Sequence, residues 1–189
     1  MPPVLLRRLA EGASVSSMRA DAARNREKLL TAAAEEFALR GSGASLEAVA
    51  KRAGVGIGTL YRHFPTREDL VAAAYAAEVA DLRAAADELL AEHPPAEALA
   101  RWMDRFVDYT ATKRGMADVL NADMRAATAG QIPAAIGRLL SAGVEAGTLR
   151  PDVDVEDVRA MIAAVWQITD GERARRMLRV LMDGLRVLP

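Results

Sequence analysis

The chain has 189 residues, a formal net charge of −1 and a 51% hydrophobic composition. That length supports one or two domains with a sizeable core, and with aromatics at only 4% the core must be filled largely by aliphatic side chains and alanine. Cysteine is absent and His63 and His93 are the two histidines. This excludes disulfides, thiol catalysis and Cys-ligated metal clusters, and it leaves no multi-histidine metal site.

The charge is unevenly spread. Residues 1–67 hold 11 Lys/Arg and 6 Asp/Glu, a net of +5, and the other 14 and 20 give −6. A basic front and an acidic rear fit a nucleic-acid-binding module ahead of a second domain; scattered solvated charge is the plainer alternative. No run of about 18 apolar residues occurs, and two arginines interrupt the short apolar patch of MPPVLLRRLAEGASVSSMRA. The expectation is a soluble cytoplasmic protein with no membrane partner and no cofactor. Residues 1–20 read as a flexible arm, with a short extra helix or a DNA-touching arm as alternatives.

Helical periodicity runs nearly throughout and no useful strand alternation appears, so the fold class is all-α. Asp21 is expected to N-cap a first helix running to Arg40, with Leu30, Ala33, Ala34 and Phe37 inward. GSGA ends it. Ser45 caps a second helix whose inner face is Leu46, Val49, Ala50 and Ala53. Gly54 falls where a turn with φ > 0 is needed, which glycine adopts without steric cost. A short third helix spans Ile57 to Phe64, and Pro65 stops it by restricting the residue before it. Ala50, Gly54 four residues later and Leu60 ten residues later have the spacing of a DNA-binding helix-turn-helix, although packing hairpins share such offsets. Residues 21–65 therefore read as the DNA-binding unit and 66–189 as a second helical domain.

In that second domain, Thr66 and Asp69 form a capping box that opens a long helix reaching Glu92. Val71, Tyr75, Val79, Leu82, Ala86 and Leu89 trace its buried stripe. His93-Pro94-Pro95 breaks the chain. Further helices are expected at about Ala96 to Lys113, Met116 to Thr128, and Pro133 to Gly147, with the proline in a first turn. After the loop TLRPDVDVED come two more, about Val155 to Thr169 and Glu172 to Val187.

The run from Arg24 to Tyr75, carried by REKLLTAAAEEFALRG and then SLEAVAKRAGVGIGTLYRHFPTREDL, resembles the DNA-binding domain of the tetracycline-repressor (TetR) family. The resemblance covers about a quarter of the chain. RWMDRFVDYTATKRG and GTLRPDVD resemble, more weakly, the C-terminal domain of SbtR-like regulators. The family resemblance implies a homodimer that binds double-stranded DNA at a palindromic operator and takes a small molecule in its rear domain. It implies phosphate contacts for Thr59 and Tyr61, whose hydroxyls bond phosphate oxygens without reading sequence. Arg62 and His63 can reach phosphates or base edges. Arg67, in the first turn of the long helix, is placed to favour a phosphate, and Ser45 can add another. The family often has Ser or Thr where this chain has Gly56 and a polar residue where it has Ile57. Ile57 is left to pack on a thymine methyl and Gly56 to permit close backbone approach. Specificity then shifts to Arg62, His63, the arm or DNA shape.

Trp102, Met103, Phe106, Tyr109, Met116, Met124, Met161 and Trp166 are the large, adaptable side chains of the rear domain. They suit either plain core packing or a plastic pocket between helices. Trp102, Met103, Phe106, Tyr109, Met116, Met124 and Trp166 are the candidate ligand-binding set, with Tyr109, Thr110, Asn121, Asp123 and Gln167 as possible polar anchors. Val158, Met161, Ile162, Val165 and Ile168, with Met177, Leu178, Leu181 and Leu185, recur at helical spacing on the last two helices. They are the candidate dimer interface, paired with their symmetry mates in a four-helix bundle. Three function classes remain: a ligand-responsive repressor, a DNA-binding protein without a ligand, and an enzyme. The enzyme fits worst, since there is no Gly-rich phosphate loop and no Ser/His/Asp set.

Overall fold

The computed structural model describes the backbone of residues 3–187 and the side chains of 18–187, Trp166 excepted. Among the described residues the regular elements are helices: α1 (Pro3–Arg40), α2 (Leu46–Ala53), α3 (Ile57–His63), α4 (Arg67–Glu92), α5 (Pro95–Gly115), α6 (Ala122–Ala126), α7 (Gln131–Glu145), α8 (Val155–Ala163) and α9 (Gly171–Leu185). Short 3₁₀ turns follow α1 at Gly41–Gly43 and α8 at Ala164–Gln167. No described helix is long and apolar enough to cross a membrane.

α1, α2 and α3 build the front of the molecule. Leu29, Ala33 and Phe37 from α1 meet Val49, Ala50, Leu60 and Phe64 in a single buried core. Two local devices set the angle between α2 and α3. The Ser45 hydroxyl accepts the Ala48 N–H at 3.1 Å and starts α2. Gly54, at φ 68°, ends it in the left-handed region, its N–H directed to the Ala50 and Lys51 carbonyls. α2 is also tied to α1 through charge. Glu36 is nearly fully buried. One of its carboxylate oxygens accepts from Arg52 Nε at 2.7 Å, and the other is ion-paired with Arg40 Nε at 3.0 Å.

α4 starts in the expected capping box: the Asp69 N–H donates to Thr66 Oγ1 and the Thr66 N–H to Asp69 Oδ2, each at 3.1 Å. α4 packs along α5 and α7, and also against α1. α5 reaches the front too. At Gly115 it runs so close to α1 that a Cβ would lie 1.9 Å from the Phe37 carbonyl oxygen, so only glycine fits. α9 packs on α5, and the chain beyond it is pinned to the turn after α7: the Arg150 N–H donates to the Leu185 carbonyl at 2.9 Å and the Val187 N–H to that of Thr148 at 3.3 Å.

Three expected boundaries are corrected. α1 begins at Pro3 rather than under a cap at Asp21; the Asp21 carboxylate instead lies along a continuing helix and pairs with Arg24 one turn on. The backbone of residues 3–20 is helical, whereas their reading as a flexible arm came from composition alone; the side chains of residues 1–17 lie outside the described residues. The helix expected over Met116–Thr128 is a series of turns plus the five-residue α6, because Asn121 accepts the Met124 N–H at 2.9 Å and starts a new element there. The helix expected to reach Thr169 stops at Ala163 and tightens into a 3₁₀ turn, since Asp170 must leave helical geometry to cap α9 through the Glu172 and Arg173 N–H groups.

Candidate nucleic-acid interface and effector cavity

α3 is anchored from one side. Leu60 is fully buried, and Phe64, just past the helix, is 3% exposed. The opposite side faces solvent: Gly56, Ile57, Gly58, Tyr61 and Arg62 are exposed, and Thr59 and His63 are half-buried. A helix rooted by one aliphatic and lined outward with hydroxyl, guanidinium and imidazole groups has the shape and chemistry of an element that enters a major groove. Arg62 lies back along its own helix, donating to the Gly58 carbonyl at 3.3 Å and to Thr59 Oγ1 at 2.9 Å. His63 stands beside Phe64 with ring centroids 6.2 Å apart. Ser45 is exposed beside this surface, its hydroxyl engaged as the α2 cap.

Arg67 is placed differently from the expectation of a phosphate contact. Its guanidinium donates to the Ala44 carbonyl and, at 3.1 Å, to that of Ser42, and it stacks over the Phe37 ring at 5.0 Å. Both carbonyls lie in the turn between α1 and α2. Arg67 therefore fastens that turn, and with it the start of α2, to the first turn of α4.

The rear domain encloses a cavity of about 490 Å³. α5 supplies one wall through Phe106, Tyr109, Thr110 and Lys113, which share a helical face. Tyr75 of α4, Leu120 and Arg125 before and in α6, Ile132 at the start of α7, and Arg159 and Ile162 of α8 complete most of it. The Tyr109 hydroxyl reaches the Tyr75 hydroxyl at 3.5 Å, and burial pushes the Tyr109 pKa up, so it stays neutral.

Of the candidate ligand-binding set, the cavity gathers Phe106 and Tyr109. Trp102, Met103 and Met116 are buried core instead. The Trp102 indole N–H donates to the Leu82 carbonyl at 2.7 Å, and its ring stacks on Phe106 at 5.8 Å, so it backs the cavity wall from behind. Met124 packs half-buried against the core and does not line the cavity. The Trp166 side chain lies outside the described residues. Thr110 lines the cavity; Asn121 serves as a cap, and neither Asp123 nor Gln167 reaches it. Sequence reasoning missed Tyr75, which the α4 stripe marks only as core, and the cations Lys113, Arg125 and Arg159, which it did not single out. The one available signal was the spacing of Phe106, Tyr109, Thr110 and Lys113.

The candidate dimer residues divide. Val158, Ile162, Val165, Leu178 and Leu185 are buried within the protomer, because α8 and α9 must cover α5 and α7, so they are not available to a second copy. Ile168 and Leu181 are partly buried against that same core. Met161 and Met177 are exposed at 42% and 43%, and Val180, which the spacing argument passed over, at 73%. No group of His, Asp or Glu suited to a metal occurs among the described residues.

Comparison with known proteins follows the same division of the chain. A model of bacterial regulatory proteins of the tetR family matches residues 29–74, and a model of the C-terminal domain of SbtR-like transcriptional regulators matches residues 94–187. The structure of a TetR transcriptional regulator from Streptomyces coelicolor superposes with a TM-score of 0.81 at 42% identity, covering 87% of this chain and 99% of that one. A TetR transcription regulatory protein from Mycobacterium vanbaalenii gives 0.76 at 41% identity, with 90% and 99% covered. A Rhodococcus TetR-family regulator at 22% identity shares the fold, with a TM-score of 0.63 over 87% of this chain and all of its own. No curated protein matches at comparable significance.

Proposed function

Because the chain belongs to the TetR family of DNA-binding transcriptional regulators, with an SbtR-like C-terminal domain, we propose that it is a homodimeric repressor released from a palindromic operator by a small molecule. The observation that carries the DNA-binding half is the outward face of α3, with Tyr61 46% exposed while Leu60 is fully buried on the other side. Thr59 and Tyr61 serve phosphates; Arg62 and His63 serve phosphates or base edges. Arg67 is a positioning residue that holds the turn before α2. The dimer forms through the exposed apolar side chains Met161 of α8 and Met177 and Val180 of α9, and it presents two α3 helices to one duplex. Two such helices about 34–36 Å apart fit successive major grooves.

The cavity supports the release. α4 runs from the α3 side, where Arg67 fastens it, past Tyr75 in the cavity wall. A ligand that moves Tyr75 moves α4, and with it the spacing of the two α3 helices. A coupling of about 1–3 kcal/mol suffices for a 5- to 150-fold change in DNA affinity. The alternative is a constitutive DNA-binding protein without an effector. Selection of bound fragments from random duplexes, followed by titration of the selected site, tests the first half. Enrichment of an inverted repeat is expected, and enrichment of single half-sites overturns the dimeric reading. Ligand affinity measured with and without saturating operator tests the second. Equal affinities leave the constitutive reading standing.

A further inference from the structure

Resting on the reading of the cavity as the effector site, we propose that its occupant is an anionic amphiphile, an acyl or aryl chain ending in a carboxylate or a similar single anion. The walls and the mouth of the cavity differ in chemistry. Phe106, Tyr109 and Tyr75 are buried, as are Leu120 and Ile162. The charged residues that line it are Lys113, Arg125 and Arg159; no carboxylate is among the described lining residues. Arg125 and Arg159 are exposed and Lys113 is half-buried, so the three cations sit at the solvent side of an aromatic floor. Like charges gathered at one opening repel one another, and a guest anion relieves that repulsion while its chain covers the apolar floor.

The positions of the three cations keep them usable. Arg125 gives one N–H to the Leu120 carbonyl at 2.9 Å, and a guanidinium has five. The Lys113 ammonium lies 5.8 Å from the Tyr109 ring centroid, directly over the floor. Arg159 is held at 2.6 Å by Glu156, one turn earlier in α8 and outside the lining. Glu78, one turn past Tyr75 on α4 and outside the lining, acts on Tyr109 through its charge. The start of α7 adds to the same field. Gly130, Ile132 and Pro133 line the cavity, so a 15-residue helix turns its positive end toward it without a side-chain cap. A cationic guest meets repulsion here from every charged group that lines the cavity. A bare inorganic anion forfeits the apolar floor. A neutral chain offers the cations at the mouth no charge-assisted hydrogen bond.

Isothermal titration of the full chain with octanoate, octan-1-ol and octylammonium tests this directly. Octanoate is expected to bind at least about tenfold more tightly than the alcohol, because charge-assisted hydrogen bonds are about twice as strong as neutral ones, and octylammonium is expected not to bind. In the double variant Lys113→Gln, Arg125→Gln, the octanoate advantage should fall to about threefold or less while octanol affinity holds, which also shows that the cavity is intact. Equal binding of acid and alcohol, preference for the ammonium, binding of none of the three, or an undiminished advantage in the double variant overturns the proposal. Octanoate that binds as expected without releasing operator DNA refutes the effector reading and leaves the ligand class standing. Release by all three probes alike does the reverse.

Discussion

Arg62 and Arg67 carry the same charge five residues apart, and the fold uses them differently. Arg62 is exposed on α3 and bonds only to its own helix, so its charge is free to swing toward DNA. Arg67 is committed to two carbonyls and an aromatic face. Replacing Arg62 by Gln should lower the salt dependence of DNA binding by about one counterion. Arg67→Gln should lower stability by about 1.5–3 kcal/mol, the range for hydrogen bonds to charged groups, and weaken binding with the salt slope unchanged. Denaturant unfolding and anisotropy titrations at several salt concentrations separate the two; an altered slope in the Arg67 variant would restore it as a phosphate contact. Arg52 makes a second such case. Its removal in Arg52→Met leaves Glu36 buried with Arg40 as its remaining ion-pair partner, and a lower midpoint is expected in urea unfolding. None of this was legible beforehand, because a sequence shows that an arginine is present and not which carbonyl or carboxylate it meets.

At the scale of elements, what the sequence specified locally was readable. The cap at Ser45, the left-handed glycine at 54 and the Thr66–Asp69 box all depend on neighbours within four residues, and all three occupy those geometries. What depended on distant partners was not. Val158 and Ile162 of α8, with Val165 in the 3₁₀ turn after it, have the spacing of an interface and of a core alike; within the protomer they are buried, α8 packing on α7 and the turn on α5. α4 carries a further element-scale property in Glu78. Burial raises its pKa, with the nearby Asp81 charge adding to the effect. A carboxyl whose folded pKa exceeds its unfolded value binds more protons when folded, so it favours the native state at low pH and loses that contribution as pH rises through the folded pKa. Glu78→Gln should therefore raise Tm near neutral pH by about 1–3 °C, after allowance for solvent screening. The gain should shrink as pH falls toward 4. Thermal melts of both proteins from pH 4 to 8 check it, and a gain that grows on acidification refutes it.

At the scale of the whole molecule, Met161 of α8 and Met177 and Val180 of α9 are exposed apolar side chains on the last two helices, and the proposed dimer rests on them. Sedimentation of Met177→Glu, Val180→Glu should show a monomer that keeps its helical content but binds an inverted repeat at least about a hundredfold more weakly, having lost the second half-site's effective concentration. A variant that still sediments as a dimer moves the interface elsewhere. The two-part architecture was legible from the break in charge and the change of motif near Thr66. The seam between the parts was not, because it is a contact between residues 78 positions apart. Gly115 presses directly on the Phe37 carbonyl, so the cavity helix α5 leans on the same residue over which Arg67 stacks. This matters to anyone assembling hybrid sensors. A graft that joins this rear portion to a foreign DNA-reading head at Thr66 would keep the covalent order but leave the α5 tip facing an unmatched helix. Such hybrids are expected to recover switching only when the recipient's first helix brings a compatible backbone to meet Gly115, so the transplantable unit is defined by a point of touch and not by a stretch of chain.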